Sequence, residues 1–134
     1  FGGHLPVLGA IARKFSLARF FQCLAMLLES GLSVPRGIEH AAKVANNIPL
    51  ARSLAPAAGR VRQGQTLTEA LSGSPYIGDG MRAMLNVGEQ SGKLDHMLRK
   101  VSKYSQDEAM YRLRILIATL ETMLFVALGL MVIL

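Results

Sequence analysis

The sequence has no tryptophan, a single cysteine and few aromatic residues, and each shortage excludes a class of protein. One cysteine, Cys23, cannot form a disulfide framework or a cysteine-based zinc cluster. It stands among apolar residues of a predicted helix, which is typical of a small core residue and not of a nucleophile. Aromatic residues make up 6% of the chain, too few for platforms that stack single-stranded nucleic acid.

Patterns that support catalysis are also missing. The histidines His4, His40 and His96 are isolated, so no two share the helical spacing that favours a common metal. The glycine-containing segment 59–64 (GRVRQG) lacks the lysine and Ser/Thr of a phosphate loop. No strand precedes it, and none precedes the closely spaced glycines of 88–92 (GEQSG). We therefore predict no enzymatic activity, no metal and no cofactor.

No segment alternates apolar and polar residues as a half-buried strand does, so the sequence predicts an all-α fold. Helices are expected over residues 16–30, 33–46, 50–63, 67–72, 77–89 and 93–134. Ser16 is the expected N-cap of the first and Gly31 its left-handed C-terminal residue. Thr66 and Glu69 form a capping-box pattern. The prediction is an antiparallel six-helix bundle whose last long helix continues into a transmembrane segment.

The predicted helices and the apolar segment divide the chain into three parts. Residues 1–15 are expected to form a loop or short leading segment, residues 16–114 a helical-bundle domain, and residues 115–134 a transmembrane helix. Sixteen of the last twenty residues are apolar, and as a helix they would span about 30 Å, the thickness of a hydrocarbon core. A buried hairpin helix of the bundle is the alternative. Since the chain lacks an initial Met and stops inside the apolar run, we interpret it as a piece of a longer protein, with no visible signal peptide.

Charge indicates orientation and possible partners. All 15 Lys and Arg residues precede residue 115, and the pI is near 10, which suggests nucleic acid, anionic lipid or an acidic protein as partner. Basic residues remain on the cytoplasmic side of a membrane, so the bundle is predicted to be cytoplasmic. Glu121 is the only charge in the apolar segment. It lies either at the bilayer interface or in a helix contact within the membrane.

Four segments, in order, resemble one known family. The segment 87–94 (VGEQSGKL) resembles the G-E-x-S-G-x-L signature of the type II secretion system F / type IV pilus PilC family. Residues 19–33 resemble its opening helix, residues 61–71 its G-x-x-L-x-x-A-L segment, and the stretch from Leu120 its membrane helix. The family usually has Glu-Pro where this chain has Glu121 and Thr122. Residues 5–9 and Glu121 resemble the second of the family's two repeats more than the first.

The resemblance implies a function without chemistry. Family members are platform proteins of the prokaryotic inner membrane that link a cytoplasmic assembly ATPase to movement of pilin-like subunits. They are thought to self-associate, so a homo-oligomer is expected, with membrane lipid as a further partner and no specific nucleic acid. A membrane-anchored basic domain that binds nucleic acid is the alternative, and it requires steeply salt-dependent binding.

The signature also has a structural interpretation. Gly88 would allow close backbone approach, Gly92 a left-handed turn, and Ser91 and Glu89 would cap the last helix. The same corner could present Glu89 and Lys93 to a partner. The expected signature and partner-binding residues are Gly88, Glu89, Ser91, Gly92, Lys93, Leu94, Arg62 and Gly64. Exposed arginines expected to meet acidic partners are Arg52, Arg60, Arg62 and Arg82.

Overall fold

A computed structural model describes residues 4–134, and every regular element in that range is a helix. The helices are α1 (His4–Glu29), α2 (Val34–Val44), α3 (Ile48–Leu54), α4 (Ala57–Arg62), α5 (Leu67–Leu71), α6 (Asp79–Ser91) and α7 (Leu94–Ile133). The predicted all-α class is confirmed, and so is a long last helix. Residues 1–3, the start of the predicted leading segment, lie outside the described residues.

The loop predicted up to residue 15 is wrong from residue 4 onward, because α1 begins there. Pro6 stands in the first turn, where a missing N–H costs no hydrogen bond. Further along, Ile11 is buried and Lys14 pairs with Glu108 of α7. Packing against α7 therefore outweighs the glycine content of this segment. Ser16 is buried within the helix and does not cap it.

The helix predicted for residues 50–63 is present as two short helices, α3 and α4. Pro56 is the reason, because it has no backbone N–H to continue α3, and it stands as the N-cap of α4. At the other end, the Asn47 side chain accepts a hydrogen bond from the N–H of Leu50 at 3.1 Å and so caps α3. Gly31 has φ +94°, which confirms its predicted left-handed conformation.

The longest helices, α1 and α7, pack antiparallel. The hydroxyl of Ser102 donates to the carbonyl of Ala18 at 2.6 Å, and that of Ser105 donates to the carbonyl of Lys14 at 2.7 Å. Facing residues thus rise in number along one helix and fall along the other. Small serine side chains at these two points allow the two backbones to approach closely.

One core joins all seven helices. Its aromatic centre is Phe20 and Phe21 of α1, whose rings lie 5.2 Å apart in an edge-to-face arrangement. Buried aliphatic side chains from the other helices surround them: Ile38, Leu50, Leu54, Ala57, Leu71, Leu85 and Leu98. Each buried Leu or Phe contributes on the order of 1.5–3 kcal/mol to folding, so this cluster holds the short helices in place.

The second half of α7 leaves the bundle. Its last buried residue is Ala109, and every residue from 117 onward is exposed. With 40 residues the helix is about 60 Å long, and about half of that length projects from the domain. Of the described helices, α7 alone is long and apolar enough to cross a membrane. Its apolar segment is not packed into the bundle, which is evidence against the hairpin alternative.

Candidate functional site

The signature segment forms the corner between α6 and α7. Gly92 has φ +73°, the predicted left-handed conformation, and reverses the chain. The N–H of Lys93 donates to the carbonyl of Gly88 at 3.0 Å, which satisfies a carbonyl at the end of α6. The helix α7 then begins at Leu94, whose half-buried side chain packs against the core.

Gly88 is the point of closest approach between the two helices. It is buried, and a Cβ placed on it would lie 2.5 Å from Cβ of Met97 and 3.5 Å from Cα of Leu94. No side chain fits at those distances without movement of α7. The predicted role of Gly88 in close packing is therefore confirmed, and it fixes the tightness of the corner.

Glu89 caps a helix, but not the predicted one. Its carboxylate accepts hydrogen bonds from the N–H of Leu67 at 2.9 Å and from the N–H of Thr68 at 2.7 Å. It also accepts one from the hydroxyl of Thr68. These N–H groups belong to the first turn of α5, where a negative charge is favourable. Glu89 thus joins the end of α6 to the start of α5, and the expected cap on α7 is wrong.

Ser91 does not cap α7 either. Lys93 holds the N-cap position, and no side chain there accepts a hydrogen bond from α7. The Ser91 hydroxyl instead lies 3.4 Å from the carbonyl of Gly88, at the end of its own helix. Ser91 and Lys93 are exposed together with Gln90, so the outer side of the corner is polar and accessible.

The Glu89 contact brings two separate sequence motifs together. Gly64, with φ +102°, ends α4 and turns the chain toward α5. There the Thr66 hydroxyl accepts a hydrogen bond from the N–H of Glu69 at 3.1 Å, as the capping box predicted. Thr68 was not singled out from the sequence. Its pairing with Glu89 crosses 21 residues, a separation that no local spacing pattern reveals.

Two of the four candidate arginines stabilise elements of the bundle. Arg60 donates to the carbonyl of Ala70 at 3.0 Å and therefore holds the end of α5. Arg82 donates to Asp79 at 2.8 Å and to the carbonyl of Ile77 at 3.1 Å, which secures the start of α6. Both guanidinium groups are engaged within the domain.

The other two arginines are more exposed. Arg62 pairs with Glu39 of α2, and the hydrogen bond from Arg62 lowers the pKa of the Glu39 carboxyl. Arg52 lies exposed on α3. Arg60, Arg62 and Arg82 thus have partners on three different helices, α5, α2 and α6.

Glu121 lies on the projecting half of α7 and is exposed. Two threonines, Thr119 and Thr122, flank it in the sequence. The hydroxyls of Thr119 and Thr122 donate to the carbonyls of Ile115 and Ala118 of the same helix, at 2.9 and 3.0 Å. Their hydrogen bonds are satisfied without water, as in a membrane-embedded helix. Within residues 4–134, no three His, Cys, Asp or Glu side chains come together to hold a metal ion.

The fold and the corner define a class of protein: a small helical domain that carries a membrane-length helix at its end. Comparison with known families identifies which one. The family model described as "Type II secretion system (T2SS), protein F" matches residues 20–134, and the chain belongs to this family. The resemblance inferred from the four motifs is therefore confirmed.

Related proteins fall on both sides of the family. The chain is 32% identical over 130 residues to the type IV pilus assembly protein PilC of Thermus thermophilus, covering 96% of this chain and 32% of that protein. It is 28% identical over 126 residues to the type II secretion system protein F of Pseudomonas aeruginosa, covering 94% and 31%. It is 35% identical over 98 residues to the type II secretion system protein F of Vibrio cholerae, which covers 73% of this chain and 24% of that protein. The chain spans about a third of the length of the curated relatives it matches.

Proposed function

We propose that this chain is one helical domain, with the membrane helix that follows it, of a platform protein in a type II secretion or type IV pilus assembly machine. The observation that carries the proposal is the joined corner. Two motifs that resemble the family, 61–71 and 87–94, meet where Glu89 caps the start of α5. The second motif leads directly into α7, which continues into the apolar segment.

The geometry supports mechanical coupling between the corner and the membrane. The helix α7 has neither proline nor glycine between Leu94 and Leu128, so nothing in its sequence introduces a hinge. Its first half is fixed to α1 and α6, and its second half projects. A partner that displaces the corner therefore moves the whole helix. We propose that the partner is the cytoplasmic assembly ATPase and that the moved components are pilin-like subunits.

The proposed location is the cytoplasmic face of the inner membrane, and the proposed action involves no enzymatic reaction. The domain lies in the cytoplasm against the inner membrane, because Arg112 and Arg114 immediately precede the apolar segment. It acts by contact, as a homo-oligomer, without turnover of a substrate. The nucleic-acid alternative has less support, since Arg62, Arg82 and Arg99 pair with carboxylates of the domain.

Photo-crosslinking of the full-length parent protein in its native membrane tests the partner. A photoreactive residue replaces Lys93 or Gln90 on the outer side of the corner, and Lys43 on α2 is the matched control. Glu89 is not used, because its carboxylate is engaged. Capture of the assembly ATPase from positions 90 and 93, but not from 43, would support the proposal. Capture of only lipid, nucleic acid or unrelated proteins from all three would refute it.

A further inference from the structure

All three tyrosines of the chain line two adjoining grooves at one end of the domain. The first, of about 390 Å³, lies between α1, the segment 75–80 and α7. We call it the tyrosine groove. Its charged and polar lining is Arg13, Lys14, Tyr76, Asp79, Tyr104, Glu108 and Arg112. The second groove shares Tyr104, Glu108 and Arg112 with the first, adds Tyr111, and reaches Ile115, the first residue of the apolar segment.

The position of the tyrosine groove along α7 sets its height above the membrane. Arg112 precedes Ile115 by three residues, or about 4.5 Å of helix. Lys14 lies opposite Ser105 and Glu108, so its end of the groove is about 10–15 Å from Ile115. A headgroup layer is about 5–8 Å thick on each side of the hydrocarbon core. If the core begins at Ile115, the lower end of the groove lies within the headgroup layer.

The charges of the groove leave a cation available. Glu108 pairs with Lys14 at 2.7 Å, and Asp79 at the rim pairs with Arg82 at 2.8 Å. The Arg13 guanidinium lies 4.7 Å from the centre of the Tyr76 ring. Arg112 forms no ion pair with any residue of the described chain. Both carboxylates are therefore neutralised while Arg13 and Arg112 keep their charge.

We propose that the tyrosine groove binds the phosphate of an anionic phospholipid headgroup, from the leaflet on the domain's side of the membrane. Arg112 and Arg13 supply both the positive charge and the N–H donors. Tyrosine rings are favoured at this depth, because their apolar body faces the chains and their hydroxyl faces water. An acidic protein segment fits the charge equally well. The lipid is favoured because the groove continues to Ile115 and so opens toward the bilayer.

The inference depends on the proposed membrane crossing, and the experiment separates the two. Since the chain has no tryptophan, one introduced tryptophan is a unique reporter. Tyr76→Trp places it in the groove on an element other than α7 and keeps an aromatic ring beneath Arg13. Phe125→Trp reports insertion of α7. Val87→Trp, on the exposed side of α6, is the remote control. Each full chain is reconstituted into phosphatidylcholine vesicles with increasing phosphatidylglycerol, carrying either a headgroup or an acyl-chain quencher.

We expect headgroup quenching at position 76, acyl-chain quenching at position 125 and neither at position 87. In the Tyr76→Trp chain, Arg112→Gln should raise the phosphatidylglycerol fraction at half-maximal quenching about fivefold, since one basic residue near an anionic surface contributes about 1 kcal/mol. Lys100→Gln, further up α7, should leave it unchanged.

Each other outcome refutes a definite statement. Quenching at 125 without quenching at 76 refutes headgroup binding but not the membrane crossing. If Arg112→Gln leaves the phosphatidylglycerol fraction at half-maximal quenching equal to that of the Tyr76→Trp chain, phosphate recognition is refuted and a protein partner for the groove is favoured. Absence of quenching at 125 refutes the membrane crossing, and the headgroup assignment with it.

Discussion

At the scale of single residues, the carboxylate of Glu89 is the contact that joins α5 to α6. α5 has only five residues, too few to be stable by itself in water. Its first turn is held by Thr66 from its own sequence and by Glu89 from another helix. Removal of the second cap should therefore be felt mainly in α5.

Glu89→Ala is expected to lower the free energy of unfolding by about 1–3 kcal/mol, because two N–H groups in a half-buried position lose their acceptor. Hydrogen exchange of the Leu67 and Thr68 amides should accelerate by about tenfold or more, since a loss of 1.4 kcal/mol is a factor of ten. The measurement is exchange mass spectrometry on the full chain in detergent micelles. Glu69→Ala is the matched control on the same helix turn. Equal acceleration in both variants would contradict the role of Glu89.

The close approach of α6 and α7 at Gly88 can be tested by adding a methyl group there. Gly88→Ala should destabilise the domain by about 1–3 kcal/mol, because the added methyl would overlap Cβ and Cγ of Met97. Gly59→Ala on α4 is the control, since nothing lies within 4 Å of its Cβ position. It should be neutral, or stabilising by about 0.4–1 kcal/mol. Thermal unfolding of both variants checks this, and a Gly88→Ala chain as stable as the parent would contradict the tight corner.

At the scale of helices, α1 and α7 are held together by polar contacts as well as by the core. Burial acts to raise the pKa of Glu108, but the hydrogen bonds from Lys14 and Tyr104 and the charge of Arg112 outweigh it. The net pKa of Glu108 is lowered from 4.5. A carboxyl with a lowered pKa stabilises the fold above its unfolded pKa, and this stabilisation is lost as pH falls through the folded value.

Glu108→Gln should therefore weaken the pH dependence of stability below about pH 4.5, where the parent protein loses this contribution. Above that pH the variant should melt at a lower temperature than the parent, and the difference should shrink as pH falls through the folded pKa of Glu108. Asp107→Asn, an exposed neighbour on α7, is the control and should follow the parent. Melting temperatures from pH 3 to pH 7 provide the measurement, and parallel curves for Glu108→Gln and the parent would contradict the prediction.

Local patterns and tertiary contacts account for different helices. The length of α7 was predictable because 34 successive residues after Leu94 contain no helix breaker. The turns at Gly31 and Gly92 were predictable because glycine readily takes positive φ. The start of α1 was not, since its glycines argue against a helix until α7 packs along it. The pairing of Glu89 with α5 was not predictable from the sequence either, because it depends on where two turns that are distant in the sequence meet.

At the scale of the whole molecule, the domain and its projecting helix have different solvents. The bundle has a closed core and a charged surface, whereas α7 beyond residue 117 exposes apolar side chains on every face. Such a helix is stable in a bilayer and aggregates in water. The projecting helix and the basic residues that precede its apolar segment are the observations behind the proposed arrangement, in which the bundle stands on the cytoplasmic surface.

That arrangement predicts which end of α7 a membrane-impermeant thiol reagent can reach from each side of the membrane. Cys23 is the only cysteine of this chain. Cys23→Ser, with any cysteine elsewhere in the full-length protein also replaced by serine, gives a background into which Lys93→Cys or Leu134→Cys introduces one label site. In intact spheroplasts that carry the full-length protein, the reagent should label position 134 and not 93, because Leu134 lies about 28 Å along the helix from Ile115, at the far edge of the hydrocarbon core. In inverted membrane vesicles the order should reverse. Both positions are exposed in the fold, so a difference between them reports the membrane and not burial. Labelling of position 93 in sealed spheroplasts would place the bundle outside the cytoplasm, where no assembly ATPase could reach its corner.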